Sequence, residues 1–208
     1  MVVVRWLALA LALAGCGPRG TVAPLVCPTA GPVVIRGPED IAALAGCARV
    51  PGLEVRTAMT VELSLLTGLT AIDGDLVIGP TLAITTLSLP ALIELGGRLR
   101  VRGNGDLTGL FLPALSHAGA IEISDDPSLV SISAPALTAI DGPLTLTRLP
   151  ALELIDTGRL AEVGGALTLS AVPTLTTWLG PPTRVGGARA IDAPRLDPDV
   201  RARLDHAP

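Results

Sequence analysis

Residues 119–141 read GAIEISDDPSLVSISAPALTAID. Ile121 and Ile123 alternate with Ala120, Glu122 and Ser124, the period of two that marks a short strand with one buried face. Asp125, Asp126 and Pro127 break it as a turn does. Leu129, Ile132 and Ala134 open a second apolar stretch. Pro135 ends it, because proline lacks the N–H that a ladder needs. Leu137 and Ile140 follow as further anchors, and after Asp141-Gly142 the pattern restarts at Leu144.

The restart is a repeat. The first strand of each copy carries Leu53, Leu76, Leu99, Ile121, Leu144 and Leu167, in steps of 22 or 23 residues. Two residues on stand Val55, Ile78, Val101, Ile123, Leu146 and Leu169. A second column holds Leu87, Leu110, Ile132, Ile155 and Trp178, which places Trp178 in the core. Gly74, Gly97, Gly119, Gly142 and Gly165 precede the strands by two residues, where glycine allows a tight corner. A unit this short cannot bury its own face, but stacked units can, by pairing equivalent strands in parallel. No copy holds a helical period over ten residues. The expected fold class is therefore an all-β solenoid, a short right-handed parallel β-helix of six to seven rungs with short capping helices.

Both ends carry signs of a cap. Pro38, Glu39 and Asp40 open a short helix with Ile41, Leu44 and Ala45 as its buried stripe. At the other end Arg189 stands where the first core leucine belongs, and Asp197-Pro198-Asp199 starts a second helix. The expected boundaries are 27–191 for the solenoid and 192–208 for a C-terminal cap or tail.

Residues 1–16, MVVVRWLALALALAGC, hold one charge and an apolar run too short to span a bilayer comfortably. Leu13-Ala14-Gly15-Cys16 resembles the bacterial lipoprotein lipobox. That resemblance implies a signal peptide over 1–15, a lipid on Cys16, a tether to residue 26 and attachment to the cell envelope. Gly17 after the cysteine favours the outer membrane. Cys27 and Cys47 then remain as a pair, and in an exported chain such a pair is expected to form a disulfide. A two-cysteine metal site lacks nearby histidines.

The helix ending in Cys47 (DIAALAGC, 40–47), the strand VPGLEV (50–55), and the recurring Gly-x-Leu-x-Ile and Leu-Pro-Ala-Leu segments are similar to receptor L domains. The resemblance covers residues 27–191. It implies a short right-handed β-helix with a capping helix and an early disulfide, and a role in surface recognition. The cysteine-rich module, transmembrane helix and kinase of the animal receptors have no counterpart here, so growth-factor binding does not carry over.

Composition narrows the function. The chain has 208 residues and a formal net charge of −4, and aromatic residues make up 1%. Nucleic-acid binding is not expected without a basic field or stacking platforms. Arg98, Arg100 and Arg102 alternate along one strand and are the candidate binding surface, with Arg100 beside Glu122 of the next rung. Asp73, Asp75, Asp106, Asp125, Asp126 and Asp141 read as turn residues rather than a catalytic or calcium cluster. His117, at a rung corner, has no nucleophile beside it in sequence. The expectation is a non-catalytic, lipid-anchored envelope protein without metal or cofactor that recognises protein or glycan. A passive structural component and a polysaccharide-active β-helix enzyme are the alternatives.

Overall fold

A computed structural model describes residues 27–82 and 84–207. The chain is an all-β solenoid. Strands of the first column pair in parallel from Val33 through Leu53, Leu76, Leu99, Ile121, Leu144 and Leu167 to Arg189, eight positions separated by seven turns. The register read from the repeat is the register observed, and Val33–Ile35 adds one rung before it. The second column, Leu87, Leu110, Ile132, Ile155 and Trp178, forms a separate five-stranded parallel sheet. Leucines of the first column such as Leu53, Leu76 and Leu167 are fully buried. Each contributes about 1.5–3 kcal/mol relative to an exposed side chain.

A third column lies outside the sequence reading. Val50, Ile72, Leu95, Ala118, Ile140, Val163 and Val185 stack in register on very short strand segments. At the two rungs Glu94–Arg102 and His117–Ser124 one continuous strand runs through the corner. This joins the first and third columns into a single sheet of thirteen strands among the described residues. His117 therefore begins a strand instead of occupying a corner.

The glycines before the first strand serve a different purpose from the one expected. None of Gly74, Gly97, Gly119, Gly142 and Gly165 has a positive φ. They stand where successive rungs approach closely. A Cβ on Gly119 would lie 2.5 Å from the Gly96 carbonyl oxygen and 2.6 Å from that of Gly97. The left-handed conformation sits at another corner, two residues past the core pair, at Gly103 (φ 69°), Asp125 (61°), Arg148 (53°) and Ala171 (54°).

Hydroxyls tie the rungs together. Thr70, Ser116, Thr138 and Thr183 occupy one position of the repeat. Each donates to a carbonyl one rung earlier, at Ala48, Ile93, Ser116 and Ala161, over 2.8–3.1 Å. Trp178 fills its core position as expected, and its Nε1 donates to Thr157 Oγ1 at 2.8 Å. At the left-handed corner, Asn104 and Asp126 are fully buried. Asp126 Oδ1 accepts from the Asn104 backbone N–H at 2.6 Å and from Asn104 Nδ2 at 2.9 Å.

Both ends are closed. Helix α1 (Pro38–Leu44) buries Ile41 and Leu44 and leaves Ala45 exposed, so the buried stripe is narrower than expected. The Asp40 carboxylate accepts from the N–H groups of Arg36 and Gly37 just before the helix, satisfying donors that the helix cannot. Cys27 and Cys47 form a disulfide with Cα atoms 5.6 Å apart. At the far end helix α2 (Pro198–His206) starts at Asp197, whose Oδ1 accepts from the N–H groups of Asp199 and Val200. Val200 and Leu204 are its buried residues. Arg189 donates to the carbonyls of Val185 and Ala207, so the last rung is tied to the end of the helix. No helix among the described residues is long and apolar enough to cross a membrane.

Candidate functional site

The three arginines singled out in the sequence lie on the long strand Glu94–Arg102, and the structure gathers them with Arg148 around two carboxylates. Period-two alternation sends Arg98, Arg100 and Arg102 outward while Leu99 and Val101 fill the core. The Arg98 backbone N–H is held by Asp75 Oδ1 at 2.7 Å, which ties this rung to the one before. Arg100 pairs in register with Glu122, as expected. Glu122 Oε2 stands 3.4 Å from both Arg98 Nη1 and Arg100 Nη2. One carboxylate thus serves two guanidiniums that remain partly open to solvent, with Arg100 Nε buried.

The second carboxylate is Asp125, on the left-handed corner. Arg102 Nε lies 3.2 Å from its Oδ2, and Arg148 donates to it with both Nε and Nη2. The Arg148 hydrogen bond, with the charges of Arg148 and Arg102 behind it, holds the Asp125 carboxyl at about 2, well below its ordinary range. The same contact raises Arg148. Sequence reading missed Arg148 because it falls just beyond the alternating core of its strand. The available signal was the step of 23 residues, one repeat, from Arg102 to Asp125 and again to Arg148. Four guanidiniums face the Glu122 and Asp125 carboxylates, with Asp75 at the Arg98 backbone, so this patch carries a formal +1 on a chain of −4.

Of the remaining candidates, Asp106 is exposed, and Asp73, Asp125, Asp126 and Asp141 are engaged in structural contacts. Asp125 and Asp126 do not converge: the first faces the arginines and the second is buried against Asn104. Asp73 pairs with Arg49, which also reaches Glu94 at 3.4 Å. Asp141 Oδ2 lies 3.0 Å from His117 Nε2. Among the described residues no group of three His, Cys, Asp or Glu side chains is placed to hold a metal ion. Cys16 and the rest of residues 1–26, read from the sequence as a signal peptide and tether, lie outside the described residues.

Comparison with protein-family models, with curated proteins and with solved structures found no match to this chain.

Proposed function

We propose that this chain is a non-catalytic, lipid-anchored protein of the bacterial cell envelope that recognises a protein or glycan partner through the face of its solenoid. The observation that carries the recognition reading is the arginine patch of Arg98, Arg100, Arg102 and Arg148. Its excess charge and partly open guanidiniums suit carboxylate or sulfate groups, which arginine binds in a bidentate manner. The parallel stack supplies the extended surface on which repeat proteins bind partners. The lipobox-like Leu13-Ala14-Gly15-Cys16 supports the anchor, and Gly17 after it supports an outer-membrane address. The helix ending in Cys47 and the Gly-x-Leu-x-Ile strands support kinship with receptor L domains. Placement of Asp73, Asp125 and Asp141 against basic side chains and of Asp126 in a buried corner supports a non-catalytic reading.

The test is binding of the full chain to polygalacturonate, as a polycarboxylate probe, at low and high salt. Salt-sensitive binding that is lost in the Arg98→Ala/Arg100→Ala/Arg102→Ala variant supports the reading. Equal binding by variant and wild type refutes the arginine surface. Mass spectrometry of Cys16→Ser against wild type reports the anchor, which predicts a diacylglycerol-modified N-terminal cysteine in the wild type alone.

A further inference from the structure

The five-stranded sheet presents a face of a different chemistry. Over three consecutive rungs its outward positions are Thr86 and Ser88, Gly109 and Phe111, and Ser131 and Ser133. They pair in register, Thr86 with Gly109 with Ser131, and Ser88 with Phe111 with Ser133. None of the six carries a charge. Phe111 is the chain's single phenylalanine, and 38% of it is open to solvent.

The ring does not stand up from the sheet. It lies back along its own strand over Gly109, where a Cβ would meet Cε2 at 2.5 Å and Cζ at 2.8 Å. Any larger residue at 109 would push the ring away, so the glycine is what lets the aromatic lie down. Strands about 4.8 Å apart then set Thr86 and Ser88 on one side of the ring and Ser131 and Ser133 on the other. None of these four hydroxyls is hydrogen-bonded to another described residue. Thr108, one residue before this face, behaves differently and donates to the Thr85 carbonyl at 2.9 Å. The face is thus an aromatic platform framed by four unspent hydroxyls with no charge among them.

We propose that this face is a binding site for a neutral hexopyranose unit of a glycan. The C–H face of a pyranose is apolar, and its weakly positive hydrogens suit the negative face of an aromatic ring. The rim of the sugar carries hydroxyls, and serine and threonine can donate to them or accept from them. An anionic sugar gains no charge partner here and finds one at the arginine patch on the other sheet. The inference rests on the recognition reading above and gives its glycan a class and a place.

The test is calorimetric titration of the full chain with cellohexaose, maltohexaose and mannohexaose as neutral probes and polygalacturonate as the anionic one. Binding of at least one neutral hexasaccharide is expected, weakened about tenfold or more by Phe111→Ala. Phe111→Trp should retain it, and the triple arginine variant should leave it unchanged. Phe111 is partly exposed, so the melting temperature of Phe111→Ala should stay near that of wild type and show that lost binding is not lost folding. Neutral binding that survives Phe111→Ala overturns the site. Binding of polygalacturonate alone, through the arginines, also overturns it and leaves the recognition reading standing. Binding of none of the four probes overturns both this site and the glycan part of that reading.

Discussion

Replacing Asp126 by Asn should stabilise this protein at pH 8 and do little at pH 4. Asp126 is fully buried. Its Oδ1 takes two hydrogen bonds from Asn104, while its Oδ2 and Asn104 Oδ1 have no hydrogen-bond partner. Both orphans are acceptors, and they belong to two side chains already joined through their other atoms. One proton on Oδ2 removes the buried charge and occupies no extra space. Burial accordingly pushes the Asp126 carboxyl up from 3.8 to about 6, against the pull of the Asn104 hydrogen bonds. A carboxyl whose folded value is raised binds its proton more tightly in the folded chain. Its contribution is complete below the unfolded value near 4 and is lost as pH rises through about 6. A shift of about two units at 1.36 kcal/mol each makes the loss up to ~3 kcal/mol by pH 8. Asparagine keeps the acceptor, replaces Oδ2–H with an N–H donor and does not titrate. Chemical and thermal melts of both proteins from pH 4 to 8 should therefore diverge as pH rises. At pH 8 the variant should lead by up to ~3 kcal/mol, or about 6–12 °C in Tm for a domain of this size. Asp125 does not interfere, because its depressed value moves its own loss of stability toward about pH 2, below this window. Melting curves that stay parallel across the range would falsify the buried protonated carboxyl.

Gly119→Ala should cost about 1–3 kcal/mol, because its Cβ meets the carbonyls of Gly96 and Gly97, and backbone cannot swing aside; an unchanged denaturation midpoint would refute the close-approach role of this column. Reducing the Cys27–Cys47 bond, or replacing both residues by serine, should cost about 3 kcal/mol for a loop of this length, read as a lower urea midpoint. Arg100→Ala should change stability by less than about 1 kcal/mol. Glu122 keeps Arg98, and the truncation removes a buried Arg100 Nε that has no partner. A loss of several kcal/mol would mean that the pair is structural.

Much of this fold can be read from spacing alone. Leu53 through Leu167 recur every 22 or 23 residues, and parallel stacking converts that interval directly into register, so the core columns and the core position of Trp178 follow from counting. The third column was hidden because segments such as Ala71–Ile72 and Ala139–Ile140 are too short to show alternation. The candidate site was legible in part. Arg98, Arg100 and Arg102 alternate visibly, and Arg100 beside Glu122 follows from the repeat. Arg148 lies one repeat beyond Asp125, and the contact forms at the left-handed corner that both residues occupy. The same corner buries Asp126 one residue later, which is why two adjacent aspartates take opposite environments.

By itself, then, the sequence determined the stack, its register and its two capped ends, since these depend on which residues are apolar and how far apart they lie. Tertiary structure alone decided which polar residues are spent and which are free. Thr108 and Ser131 look equivalent in a sequence, yet one hydroxyl closes on a carbonyl of the previous rung and the other faces solvent beside an aromatic ring. Gly109 reads as a flaw in its strand until Phe111 is seen lying across it. The physical reason is that the hydroxyl's partner lies one rung away, about one repeat along the chain, and the ring's resting place depends on a rotamer, so neither is recorded in the neighbouring residues.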